Sequence, residues 1–240
     1  MLLKIALNGA RPKAESEYLP HSLNEIEREV TLLYKNGCKV FHIHSYGSNG
    51  RESLRPGDVD NLVLRVKNIS ADIMIGISSG DWIEPDLEKR ISYIKNWKYV
   101  PDFASVNMIE ESALVISDIL ISRGVMIEAG LNEEKATEIF AKSNIRNNCC
   151  RILIEPEEEN LAAAAKTISE IEKILDSNKI MIPRLLHGFN SVSWNLLREA
   201  KNRGYDGRIG MEDTLYLENG KKVTGNLELF NEAKRILNSD

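Results

Sequence analysis

The sequence predicts an α/β protein, a single-domain (β/α)8 TIM barrel over residues 1–240. Three observations carry this. Eight short, β-rich apolar runs alternate with amphipathic segments of helical period. The repeat is about 30 residues, the size of one βα unit. No linker, low-complexity tract or shift in composition breaks the alternation. A doubly wound open sheet, built from the same units, is the rival architecture.

In chain order the runs are Leu3–Asn8, Lys39–Ser45, Asp72–Ser79, Phe103–Met108, Gly124–Leu131, Arg151–Pro156, Met181–His187 and Arg208–Asp213. Each is rich in Val, Ile, Leu or Phe, as strands buried on both faces are. The helices between them are punctuated. Ser22 and Glu25 form a capping box that opens a helix with Leu23, Ile26, Val30 and Leu33 on one face, and Gly37 ends it. Asp58 precedes Val59, Leu62, Val63 and Val66 at helical spacing. Asn132 precedes Glu133 and Glu134, which suit a helix N-terminus. Ser191 opens a helix that ends near Gly204, and the last helix runs from about Asn226 to Leu237.

Charge narrows the function classes. The 31 Lys and Arg against 36 Asp and Glu leave a formal net charge of −5, which offers nucleic acid no basic stripe. No apolar run approaches the roughly 18 residues of a membrane span. The first residues read as a strand and not as a signal peptide. Cys38, Cys149 and Cys150 make no disulfide framework, so a reduced, cytoplasmic setting is expected. Glu157–Glu159 reads as a solvated loop and first helical turn.

Reactive groups on such a fold gather where strands end and loops begin. There the sequence places Asn8 and Arg11; His42 and His44; Ser78, Ser79 and Gly80; Ser105 and Asn107; Glu128; Glu155; His187; and Arg208, Glu212 and Asp213. Residues two apart on a strand share a face, so His42 and His44 are placed to share a divalent metal. Two hydrogen-bonded histidines are the plainer alternative. Glu212 is the best third ligand, and two His with one carboxylate leave positions open for catalysis. Arg208 and Glu212 have the parity to share a strand face. Arg208 reads equally as a salt bridge closing the barrel, Asp213 as a turn cap, and His187 as a core hydrogen bond. Ser78, Ser79 and Gly80 read as an anion site near a helix start or as a common strand exit.

With these residues in view, the chain resembles the β-keto acid cleavage enzymes. The resemblance rests on Asn8-Gly-Ala, Phe41-His-Ile-His44 with Gly50-Arg51, Ile77-Ser-Ser-Gly80, Ala104-Ser-Val-Asn107, Glu128, and Arg208-Ile-Gly-Met-Glu212-Asp213-Thr214. It implies a (β/α)8 barrel with one zinc ion, assembled as a homo-oligomer, a dimer or tetramer. It implies a reaction between a β-keto acid and acetyl-CoA that returns acetoacetate and a new CoA thioester. By matching positions, His42, His44 and Glu212 hold the metal, with Mn2+, Co2+ or Fe2+ fitting similar ligands. Asp213 is the catalytic acid–base group, Arg208 its electrostatic partner, and Ser78 stabilises the reacting substrate. Ser105 and Asn107 contact the keto acid, with Ser79, Gly80, Asn8 and Glu128 in the same binding group.

The chain departs from the family's amino-substrate member in three places. That member carries a glutamate where this sequence has Arg11, so an anionic or neutral substrate tail is expected here, with Glu15 the nearest acidic residue. The loop after the sixth run, Pro156–Asn160, is short, and the chain stops soon after its last helix; both bear on CoA binding and on assembly. Two other readings remain. One is a metal-dependent lyase or aldolase that ignores CoA; the other is a non-catalytic metal- or ligand-binding barrel.

Overall fold

A computed structural model describes residues 1–9 and 11–238. Ala10, part of the first motif, lies outside the described residues. The elements alternate without exception: β1 (Leu3–Ala6), α1 (Leu23–Lys35), β2 (Val40–Ile43), α2 (Pro56–Ile69), β3 (Met74–Ser78), α3 (Leu87–Lys95), β4 (Phe103–Asn107), α4 (Ala113–Ser122), β5 (Met126–Leu131), α5 (Glu134–Lys142), β6 (Cys149–Ile154), α6 (Leu161–Ser177), β7 (Arg184–Leu186), α7 (Ser193–Asn202), β8 (Asp206–Ile209) and α8 (Asn226–Asn238). Neighbouring strands are all parallel, and β8 pairs back onto β1, which closes the barrel and removes the open-sheet alternative.

Strand parity sorts the side chains. Ile5, Phe41, Ile43, Ile75, Ile77, Ala104, Val106, Ile127, Ala129, Ile152 and Ile154 point outward and are sealed under the helices. The other parity points inward, and there the chain is polar. Register sets Lys4 beside Arg208, Ala6 beside His42, and Ser78 beside Ser105. Low in the barrel, Glu128 accepts from Lys4 and from Arg151 (3.2 Å), and Arg151 reaches Asp206 at 3.3 Å. Lys4 also lies over the Phe103 ring, 5.8 Å from its centroid. The floor of the barrel is therefore an ion layer, in which each buried charge is tolerated only because it is paired.

The first helix starts as its capping box directs, whereas α5 and α7 start at Glu134 and Ser193 with no side-chain cap from Asn132 or Ser191. Ser22 Oγ accepts from Glu25 N at 3.3 Å while the Glu25 carboxylate accepts from Ser22 N at 2.9 Å. α2 starts earlier than the Asp58 signal implies: Pro56 sits in its first turn, where a missing N–H costs nothing. Two further expectations are corrected. β8 ends at Ile209, so Glu212 and Asp213 share no strand face with Arg208. They lie in a tight turn in which Asp213 N and Thr214 N both donate to Gly210 O, at 2.9 and 3.0 Å. α3 begins only at Leu87, so Ser78, Ser79 and Gly80 do not border a helix start. The cysteines are free, and among the described residues no helix is long and apolar enough to cross a membrane.

Candidate metal centre and active site

A cavity of about 340 Å3 opens at the C-terminal mouth of the barrel. Arg11, His42, His44, Ser78, Ser105, Asn107, Arg208 and Glu212 line it, converging from the ends of several strands. At its floor the Nε2 atoms of His42 and His44 stand 3.0 Å apart. Glu212 Oε1 is 3.7 Å from the first and Oε2 is 3.7 Å from the second. The donor atoms of all three lie within 4.8 Å of one another. The turn after β8 thus delivers the third donor that sequence parity assigned to a strand.

Two features of the chain fit these donors to a divalent ion. Gly9 leaves the space they converge on: a Cβ there would lie 2.5 Å from Glu212 Oε2 and 2.6 Å from His44 Nε2. The donor set of two imidazoles and one carboxylate suits zinc and leaves coordination positions open. Burial pushes His42 well below its ordinary range, which keeps it neutral. Burial also acts to lower His44, but the Glu212 and Glu52 carboxylates outweigh it and raise the ring overall. Burial would raise Glu212, yet Arg208 and the two imidazoles hold it low, as an anion.

Arg208 is the hub behind the centre. It is buried on the cavity wall and donates to Glu212 and to Asp213, the latter through Nη2 at 2.7 Å and Nε at 3.2 Å. Burial would raise Asp213; Arg208 and then His187 hold it down as a carboxylate. His187 stands between two carboxylates. Its Nδ1 is 3.5 Å from Asp213 Oδ1, and its Nε2 is 3.3 Å from Oε2 of Glu155, a residue of the cavity wall.

Five expected site residues lie off the cavity wall. Asp213 is fully buried behind Arg208. The Asn8 amide is engaged with Pro20 O and with the His44 backbone, accepting from His44 N at 2.9 Å, so it anchors the segment that carries His44. Ser79 donates to Ser105 O at 2.8 Å and ties β3 to β4. Gly80 makes room for Trp82, whose ring would collide with a Cβ at that position. Glu128 belongs to the ion layer below. Arg11 does line the mouth, but its guanidinium already meets Glu15 (2.8 Å), Asn190 (2.5 Å) and the Glu212 carbonyl (3.0 Å).

The structure adds residues that sequence reasoning missed or discounted. Trp82, Asn132, Glu157, Phe189 and Asn190 line the cavity. Glu157, in the stretch read as a solvated charge run, accepts from Asn132 Nδ2 at 2.9 Å. Glu52 holds His44 Nδ1 at 2.6 Å. The available signals were slight: an aromatic residue just past a strand exit, and an acidic residue eight positions after the second histidine.

The sequence matches the family described as beta-keto acid cleavage enzyme over residues 1–152. Among solved structures, apo ObcA is similar at TM-score 0.70 and 15% identity, over 92% of this chain and 61% of ObcA. ObcA bound to oxaloacetate gives 0.70 at 15%, over 92% and 63%. ObcA in a ternary complex with a C4-CoA adduct and oxalate gives 0.71 at 14%, over 92% and 63%. The chain spans under two thirds of ObcA's length, and at these identities the likeness is one of fold.

Proposed function

The chain belongs to the beta-keto acid cleavage enzyme family, and from that premise we propose that it cleaves a β-keto acid with acetyl-CoA as co-substrate, giving acetoacetate and a new CoA thioester. The observation that carries this reading is the convergence of His42, His44 and Glu212 within 4.8 Å at the floor of a 340 Å3 cavity. These three residues hold one divalent ion, zinc by preference of the donor set. A zinc ion held there supplies Lewis acidity toward the keto oxygen. ObcA's complexes with oxaloacetate, itself a β-keto acid, and with a C4-CoA adduct support the substrate class and the use of CoA.

The remaining steps fall to the chain's own side chains. Ser78, Ser105 and Asn107 orient the keto acid from one wall. Arg208, locked by two carboxylates, presents a fixed cation to the negative charge that grows on substrate oxygen. Asp213 is the acid–base group, with His187 3.5 Å away and Glu155 beyond it toward the cavity wall. Arg11 at the mouth favours an anionic or neutral tail over an ammonium. The assembly proposed with this reading is a homo-oligomer in the cytoplasm.

The test is incubation of metal-replete protein with a panel of β-keto acids, with and without acetyl-CoA, reading products by mass. Acetoacetate is expected only when acetyl-CoA is present, and not after chelation. The short chain between β6 and α6 favours one second reading, a lyase that works without CoA. Cleavage that ignores acetyl-CoA would select it. Absence of turnover on every substrate by metal-loaded protein would leave a binding barrel.

A further inference from the structure

The two histidines at the floor are held very differently. His42 sits within β2, whose backbone pairs on both sides: His42 itself stands opposite Ala6 of β1 and Gly76 of β3. Its Nδ1 is buried and has no hydrogen-bond partner among the described residues. His44 lies past the end of β2. Asn8 clamps its backbone, but the imidazole swings about its own side-chain torsions unless something grips the outer nitrogen.

Glu52 supplies the grip. The chain after β2 doubles back as a short antiparallel hairpin, with Tyr46 bridging Glu52 and Ser53 N donating to Ser45 O at 2.8 Å. That fold returns Glu52 over His44, where Oε1 meets Nδ1 at 2.6 Å. The second carboxylate oxygen, Oε2, accepts from Trp82 Nε1 at 2.8 Å. The indole comes from the β3–α3 loop and lies over the His44 ring, with centroids 6.5 Å apart and planes 26° apart.

We propose that Glu52 and Trp82 are positioning residues for His44: Trp82 orients the Glu52 carboxylate, and the carboxylate fixes the tautomer and the aim of His44. This rests on the reading of His42, His44 and Glu212 as metal ligands. A carboxylate on Nδ1 keeps the ring proton there and leaves Nε2 as a bare donor facing Glu212. Both oxygens must accept at once, which an amide does not allow. In Glu52→Gln, an amide oxygen aimed at His44 turns its N–H against the indole N–H. Flipped, the amide donates to Nδ1 and drives the ring proton onto Nε2, where the ion belongs.

The experiment measures Zn2+ affinity by competition with a chromophoric chelator for wild type, Glu52→Gln, Trp82→Phe and the double variant. Thermal unfolding of the metal-free forms serves as the folding control. Glu52→Gln is expected to bind about 10–100-fold more weakly. Trp82→Phe, which removes the N–H but keeps an aromatic ring, is expected to weaken binding by a smaller factor. The double variant is expected to match Glu52→Gln alone, because Trp82 acts through Glu52. The visible absorption bands of the Co2+-loaded protein should shift in the same order. Folded variants with wild-type affinity, or a double variant whose effects simply add, would overturn the relay. A wild type that takes up no Zn2+ would remove the metal reading and the relay with it. Should Glu52→Gln not fold, Trp82→Phe carries the test, since Trp82 is 47% exposed and its replacement leaves the core intact.

Discussion

Gly9 shows how one missing atom shapes the site. Glu212 and His44 crowd the position a Cβ would take there and leave no room for a methyl group. Gly9→Ala is therefore expected to keep the fold and lose most metal affinity, read as metal content against unfolding midpoint. Asp213 stands at the next level of the chemistry. On the proposed mechanism, Asp213→Asn lowers turnover by about 10²–10⁴-fold while the protein still carries its metal; near-normal turnover would remove Asp213 from the reaction. Glu110, away from the cavity, sets a pH dependence of stability. Burial, with Asp81 adding, pushes its carboxyl up to about 7 against the pull of Arg90. The folded chain then holds a proton that the unfolded chain releases at lower pH. Stability accordingly falls as pH rises from the ordinary carboxylate range through about 7. Glu110→Gln should flatten that slope, as seen in urea midpoints measured at about pH 5 and about pH 8.

At the scale of elements, the strands were legible because each is a short run rich in Val, Ile, Leu or Phe, and the first helix because Ser22 and Glu25 cap it. The strand ends were less so. Parity alone cannot reveal that β8 stops at Ile209 and that the Gly210 carbonyl then gathers two amides into a turn. That turn brings Glu212 to the histidines and hides Asp213 behind Arg208. Glu52 and Trp82 were not legible for a similar reason. Their role depends on a hairpin and a loop meeting over His44, and neither leaves a periodic trace. The ion layer joining β1, β5 and β6 was not legible, and Glu128 was expected instead in the substrate-binding group. Its buried pairs have a measurable consequence: Glu128→Ala strands Lys4 and Arg151 without that counter-charge. The expected loss is about 3–5 kcal/mol in denaturant unfolding.

For the whole molecule, closure of the barrel and the candidate metal site are linked. The loop after β1, the end of β2 and the turn after β8 all meet at the three donors, and β1 is the strand that joins the sheet's two ends. An ion held there binds the folded state alone, so its removal lowers the melting temperature by mass action. The most direct test of the account is the zinc stoichiometry of purified wild type beside His42→Ala, His44→Ala and Glu212→Gln, each checked for folding. One ion per chain in wild type, lost or strongly weakened in every variant, is the predicted result. Three folded variants that each retain a full equivalent of zinc at wild-type affinity would contradict it.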